Sequence, residues 1–486
     1  MADLKRQLGL LDSTMINVGT MIASAIFLVP SAIAQQLHAS SLTILVWVVG
    51  GVVSLLGALS VSELGAAMPK SGGQYAYLTE AYSPVWGYLF GWTSGVVINP
   101  ASIAAIAVAF ATYLAFFVPL GMWGIKLIAV ASIVALTVLN CVGVKPGTLT
   151  QNVLTLLKIG LVALLIVVGF ALPGGRRENF QPVWPAVGVG SLIGPFGVAM
   201  VAALWAYDGW IEVCYVGGEV KDPGRNLPRA ILLSTVIVIA LFCLVTASYT
   251  YVLSPARMAQ SSLVASDAAQ VTLGRAGAAV VAATILVSTL GANNGIVLTA
   301  ARVPYAMARG GVLPAWLGGV HPRFLTPTPS LVVQAAISIA LTVWGTYDQL
   351  FTYVIFAQFL FYAMACGAVV RLRAKAPDLP RPYRTWGYPV TPLVFIAFAT
   401  WLVGNTIAEQ PGDSAVGVAL ILAGLPLYWW RRRATARPSP ASPAAPAAAP
   451  AASAFRASAA LAGPSARRSR PSVPGAPAPR SPAVSP

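Results

Sequence analysis

Charged residues are scarce in this chain: Asp, Glu, Lys and Arg occupy 9% of its 486 positions, where an average soluble domain carries about 25%. Acidic residues are scarcer still, 14 against 30 basic ones, which gives a net charge of +16. Histidine is reduced to His38 and His321, and the four cysteines (Cys141, Cys214, Cys243 and Cys366) all fall in apolar runs. Two histidines all but exclude a histidine metal site. The cysteines have neither metal nor disulfide-framework spacing and read as small buried hydrophobes. No nucleophile–base pair, metal cluster or phosphate loop is visible, so an enzyme is not expected and no cofactor or metal is implied.

Apolar residues fill the space that charge leaves, at 57% of the chain with a mean hydropathy of +0.76. Runs near 20 residues recur from about residue 12 to 430, each long enough to cross a ~30 Å hydrocarbon core as a helix. Continuous runs, rather than short alternating ones, exclude an outer-membrane barrel. Breaks at Gly, Pro and charge clusters divide them into twelve spans, near 12–36, 41–67, 84–118, 122–143, 149–172, 192–220, 229–253, 276–308, 330–347, 349–373, 391–408 and 412–430. The expected fold is therefore an all-α integral membrane protein. Met1 to Thr14 form a polar lead, and the run behind it lacks a small-residue cleavage site, so it reads as a retained first span rather than a signal peptide.

The positive charge divides into two parts. Residues 434–486 hold six Arg and no acid among Ala, Pro and Ser. Such a segment buries too little apolar surface to offset its ordering entropy, so it reads as a solvated, disordered cytoplasmic tail rather than a nucleic-acid arm. The membrane body, residues 1–433, keeps +10. With both termini inside, the cytoplasmic side collects eighteen Lys and Arg, and the opposite side only Lys126, Arg176, Arg177, Arg257 and Arg275. The positive-inside rule then places both termini in the cytoplasm.

Two spans are not simple rods. Span 1 is interrupted by Val18-Gly19-Thr20-Met21-Ile22-Ala23-Ser24-Ala25-Ile26-Phe27, and span 6 by Leu204-Trp205-Ala206-Tyr207-Asp208-Gly209-Trp210. They occupy corresponding places if the first ten spans form two repeats of five, about 12–172 and 192–373, with extra helices at 391–430. A five-span repeat necessarily inverts. Paired broken helices in the two halves point to a transport site at the bilayer midplane, against close helix packing on small residues as the plainer reading. Lys158 lies about nine residues into span 5, roughly 14 Å deep, too far in to snorkel easily. It is either a functional cation or a structural one held by carbonyls of a broken helix. Asp208 is similarly deep, with Glu212 one turn on. It could read a cationic substrate, pair with a protein cation or stay protonated. Glu63 and Glu219 lie near cytoplasmic Arg and Lys and read as partners in structural or gating ion pairs.

Further segments carry a resemblance. Pro69-Lys70-Ser71-Gly72-Gly73-Gln74-Tyr75-Ala76-Tyr77 follows span 2, and Gly218-Glu219-Val220-Lys221-Asp222-Pro223-Gly224-Arg225-Asn226-Leu227-Pro228 ends span 6. Asn293-Asn294-Gly295 lies in span 8, with His321-Pro322-Arg323, Thr326-Pro327-Thr328-Pro329-Ser330 and Arg381-Pro382-Tyr383-Arg384 beyond it. In this order and spacing, with the span 1 break, they resemble the amino acid–polyamine–organocation (APC) superfamily and, within it, the L-type amino acid transporters (LAT-like). The resemblance runs through the whole membrane body. It implies a LeuT-like five-plus-five inverted repeat with two additional C-terminal helices, and alternating access to an α-amino acid at the breaks of spans 1 and 6.

By that resemblance the substrate carboxylate meets the backbone at Ala23, Ser24 and Ala25, where a half-helix N-terminus suits an anion. Carbonyls at Met21, Ile22, Trp205, Ala206 and Asp208 face its ammonium, with Gly209 and Asn294 completing the set. Trp205 matches the aromatic gate, and Lys158 the lysine that takes the place of sodium between spans 1 and 8, which implies sodium independence. Ala23 and Ala25 replace family glycines and narrow the break, while Ile211 replaces a frequent Asn. Asp208 matches relatives that accept both neutral and dibasic amino acids. Animal members bind a heavy chain through a cysteine after span 3. The loop at 118–122 has none, so no disulfide-linked heavy chain is expected. The expected function is a sodium-independent amino acid exchanger in the lipid of a plasma membrane, a bacterial inner membrane by this reading. Proton-coupled uptake of amino acids or polyamines is the alternative, and a non-transporting membrane sensor the alternative of another class.

Overall fold

The computed structural model describes residues 4–344 and 347–436. Most of the tail read as disordered, from residue 437 on, lies outside the described residues. Helices and their connections make up everything described, and the isolated β-bridge between Leu8 and Val220 is the one β-contact among the described residues. In lipid this is the economical solution, because a helix satisfies its backbone polar groups within one segment.

The chain opens with α1 (Leu10–Met21), α2 (Ala25–Leu37), α3 (Ser40–Ala67), the short α4 (Gln74–Ala81) and α5 (Pro84–Thr93). Next come α6 (Asn99–Leu114), α7 (Met122–Val142), α8 (Val144–Ala171), α9 (Ile193–Tyr207) and the single turn α10 (Glu212–Tyr215). After α11 (Pro223–Val252) come the short α12 (Pro255–Gln260) and α13 (Val264–Leu273). The second half holds α14 (Arg275–Ala300), α15 (Arg302–Arg309), α16 (Thr328–Trp344) and α17 (Tyr347–Lys375), then α18 (Val390–Glu409), α19 (Pro411–Leu422) and α20 (Gly424–Ala436).

Among the described residues nine helices are long and apolar enough to cross a membrane, and ten if α1 and α2, bent by 42°, count as one span. Several runs that read as single rods are divided. Span 3 holds a π-helical turn, Ser94–Ile98, between α5 and α6. Pro100 follows it, and a proline offers no N–H to the preceding turn and widens the local register. Ala301 separates α14 from α15, and Ala423 separates α19 from α20.

Helix α1 is central and packs against α8, α11 and α14, while α2 packs on α9 and α3 on α11. Its approach to α8 depends on Gly19. A Cβ there would lie 2.4 Å from Thr155 Oγ1 and 2.0 Å from Gln151 Nε2, far inside contact distance. Small residues thus let the broken helix reach the centre.

Candidate functional site

Both interruptions open the backbone, and they lie side by side. Helix α1 stops at Met21, Ile22 leaves helical geometry at φ −80°, ψ 84°, and α2 restarts at Ala25. Opposite it, Asp208 is extended at φ −62°, ψ 143° and Gly209 follows at φ +115°. Only glycine takes that conformation without strain, and a Cβ there would also meet Thr20 Oγ1 at 2.8 Å.

One side chain staples the two breaks. Asn17 Nδ2 donates to the Trp210 carbonyl at 2.6 Å, and its Oδ1 accepts the Val213 N–H at 2.8 Å. Thr20 Oγ1 lies 3.3 Å from the Gly209 carbonyl. Ile211 brings no polar side chain to the break, and its backbone groups are met from α1 instead. Asn17→Leu would leave two buried backbone groups unpaired and should cost about 1–3 kcal/mol. Thermal unfolding in detergent checks this, and an unchanged Tm would show the staple to be dispensable.

Lys158, on α8, is fully buried. Its ammonium donates to the carbonyls of Gly19, Ile22 and Ser288, each at 2.8 Å. All three of its protons are therefore used, two on the broken end of α1 and one on α14. Ser288 Oγ adds a 2.8 Å bond to the same Ile22 carbonyl. That carbonyl is turned toward α8 and α14, which corrects the expectation that it faces a substrate ammonium.

A cavity lies between the breaks. Met21, Ala23 and Ala25 line it from the first, and Trp205, Asp208 and Gly209 from the second. Ile22, Ser24, Ala206 and Asn294 do not line it. Ser24 and Ala206 are buried in the packing around it. Asn294 instead joins a polar cluster, accepting from Asn140 Nδ2 at 2.9 Å and donating to Gln151 Oε1 at 2.9 Å. Its expected place at the substrate is thus corrected: on α14 it faces α7 and α8.

The sequence reading missed much of the remaining wall. Thr20 lies beside the first break, Asn99 and Ser102 come from the start of α6, Ile296 from α14 and Gln358 from α17. Asn99-Pro100 inside an apolar run was the available signal, because a polar residue and a helix breaker coincide there. Gln358 is one polar residue in an ordinary apolar helix and gave none.

The cavity is acidic. Asp208 Oδ1 accepts the Tyr362 hydroxyl at 2.5 Å and lies 3.4 Å from Gln358 Nε2. The Tyr362 ring packs on Trp210 at 4.8 Å between centroids, which orients that hydroxyl. Glu212 bonds to Thr299 Oγ1. Neither carboxylate forms an ion pair among the described residues. Gln358 Oε1 is buried without a partner, an acceptor left for a donor.

The other buried acids are paired, as their neighbourhoods suggested. Arg302 grips Glu219 through Nε at 2.7 Å and Nη2 at 3.0 Å. Glu63 takes Arg373 at 2.9 and 2.6 Å, Arg381 at 3.3 Å and the Thr385 N–H at 2.8 Å. The four cysteines are free thiols.

A broken-helix cavity among membrane-length helices is the architecture of a multi-pass membrane protein. The amino acid permease family matches residues 8–430. Similar proteins include the serine/threonine exchanger SteT of Bacillus subtilis (strain 168), 33% identical over 89% of this chain and 98% of its own. The b(0,+)-type amino acid transporter 1 of Mus musculus is 34% identical over 88% of each chain. The large neutral amino acids transporter small subunit 2 of Mus musculus is 32% identical over 88% of this chain and 81% of its own. The chain belongs to the amino acid permease family, an APC family with LAT-like members.

Proposed function

We propose that this chain is a sodium-independent exchanger of amino acids, working by alternating access to the cavity between the two breaks. The observation that carries the reading is the Lys158 ammonium seated on three carbonyls beside that cavity, a fixed positive charge where a coupling cation would otherwise be needed. The start of α2 presents a positive dipole end and N–H groups to a substrate carboxylate, with the Ala23 N–H held by the Met21 carbonyl. Asp208 and the unpartnered Gln358 Oε1 supply acceptors for donors on the substrate. Trp205, on the cavity wall, covers the ligand. SteT and the two mouse proteins are named for amino acid exchange or transport, which supports the same cargo here.

The reading includes twelve spans, the first ten forming two inverted five-span repeats and the last two added outside, ahead of a basic segment rich in Ala, Pro and Ser. It places both termini in the cytoplasm by the charge asymmetry and the protein in a bacterial inner membrane. It needs no disulfide-linked heavy chain.

In proteoliposomes, labelled amino acid should enter faster when unlabelled amino acid is inside. Equal uptake into empty and loaded vesicles would sink exchange. Because Asp208 is the acid that two neutral donors hold at the break, Asp208→Asn should weaken lysine or arginine uptake by about tenfold more than leucine uptake, the scale of a lost charge-assisted bond. Equal effects on both classes would show that Asp208 does not read side-chain charge.

A further inference from the structure

Glu212 remains unused once the substrate groups are assigned, and its surroundings contain a proton-counting problem. Thr299 Oγ1 lies 2.9 Å from the Gly295 carbonyl, the ordinary back-bond of a helical threonine. The same oxygen contacts Glu212 Oε2. A threonine hydroxyl has one proton to give, and both neighbours are oxygens. With the Thr299 proton on Gly295, the contact to Glu212 is a hydrogen bond only if Glu212 carries the second proton.

The alternative gives the Thr299 proton to an ionised Glu212. That carboxylate would then be 6% exposed, hold one neutral donor and have no cation, an arrangement that burial penalises heavily. Among the described residues no cation pairs with it. Across the cavity Asp208 is a second acid, and Cys214 and Tyr215 are the ionisable groups on the short α10 itself. Helix α1 offers Thr20, α6 offers Asn99 and Ser102, and α17 offers Gln358 and Tyr362, the latter committed to Asp208. On α14 and α15 the nearest cation in sequence, Arg302, is committed to Glu219. Lys158 is committed to three carbonyls.

We propose that Glu212 and Thr299 form a proton-binding site on the wall of the transport cavity, loaded as the cavity closes and emptied as it opens to water. The step is a plain protonation: the Glu212 carboxylate takes a proton from the open compartment, donates it to Thr299 while closed, and returns it to water when the cavity reopens. Substrate passage is thereby linked to protons. The proposal rests on the reading that this cavity carries amino acids.

The test is counterflow of labelled leucine or serine in proteoliposomes over roughly pH 5 to 9, a range that spans ordinary and burial-shifted carboxyl titration. A pH dye trapped in the lumen follows proton movement. Because closure needs the protonated acid, wild-type counterflow should fall severalfold as pH rises, and adding substrate should move protons. Glu212→Gln, which keeps a donor for Thr299 but cannot titrate, should give a flat pH profile whatever its amplitude, and no substrate-linked dye signal. Thr299→Val should shift the midpoint of the wild-type profile. A wild-type profile that is flat with a silent dye overturns the proposal while leaving exchange intact. So does a Glu212→Gln profile that still falls with pH. If Glu212→Gln does not fold, the wild-type dye signal and the Thr299→Val midpoint decide. Absence of counterflow at every pH would instead sink the exchanger reading.

Discussion

Lys158→Ala should reduce exchange at least about tenfold and lower the melting temperature as well. The substitution removes three hydrogen bonds at 2.8 Å, and bonds to a charged donor are worth about 1.5–3 kcal/mol each. It also leaves carbonyls at Gly19 and Ser288 without that donor in a dry interior, while Ile22 keeps only Ser288 Oγ. The break in α1 loses the cross-link that holds it against α8 and α14, so the cavity wall loses its geometry with it. Lys158→Arg should not restore transport, because a planar guanidinium cannot point three donors at three carbonyls from the ammonium's position. Replacing sodium by choline should leave wild-type flux unchanged. A Lys158→Ala protein that exchanges normally, or a wild type that requires sodium, would overturn the cation-substitute reading.

Arg302→Met should be the most destabilising single change outside the cavity, by about 3–5 kcal/mol. Arg302 and Glu219 are 1% and 0% exposed and bonded at two points. Removing the cation strands a buried carboxylate. Adding Glu219→Gln should recover much of the loss, because the stranded charge disappears. Detergent melting curves of the single and double variants measure this, and additive losses would show that the two residues do not act as a pair. The same Glu219 carries a backbone carbonyl that accepts the N–H groups of Gln7 and Leu8 at 2.8 and 3.0 Å. The pair therefore also anchors the segment leading into α1, and its loss should slow exchange.

How much was legible varied with the kind of signal. Interruptions in spans 1 and 6 were readable because small residues, a carboxylate and a glycine at mid-span contradict an ordinary apolar helix. Lys158 stood out for the same reason, since a cation that deep has few ways to be satisfied. Asn17 and Gln358 were not readable. Each is one polar residue among many, and its importance comes from a partner about 190 or 150 positions away. The π-helical turn at Ser94–Ile98 was half visible, in Pro100. Asn294 entered through the resemblance, and its contacts with Asn140 and Gln151 depend on a helix rotation that sequence does not supply.

Sequence alone determined that this chain lives in a membrane, that its first and sixth spans break and which charges fall within its apolar runs. Hydropathy, helix-breaking residues and the cost of burying an ion are local properties, and they do not depend on neighbours. Only the tertiary structure decided what those residues touch. It turned the Ile22 carbonyl toward Lys158, placed Asn294 with Asn140 and Gln151, and set Thr299 against Glu212. Those choices are rotations of one helix against another, fixed by close packing at positions such as Gly19, and no single stretch of sequence contains them.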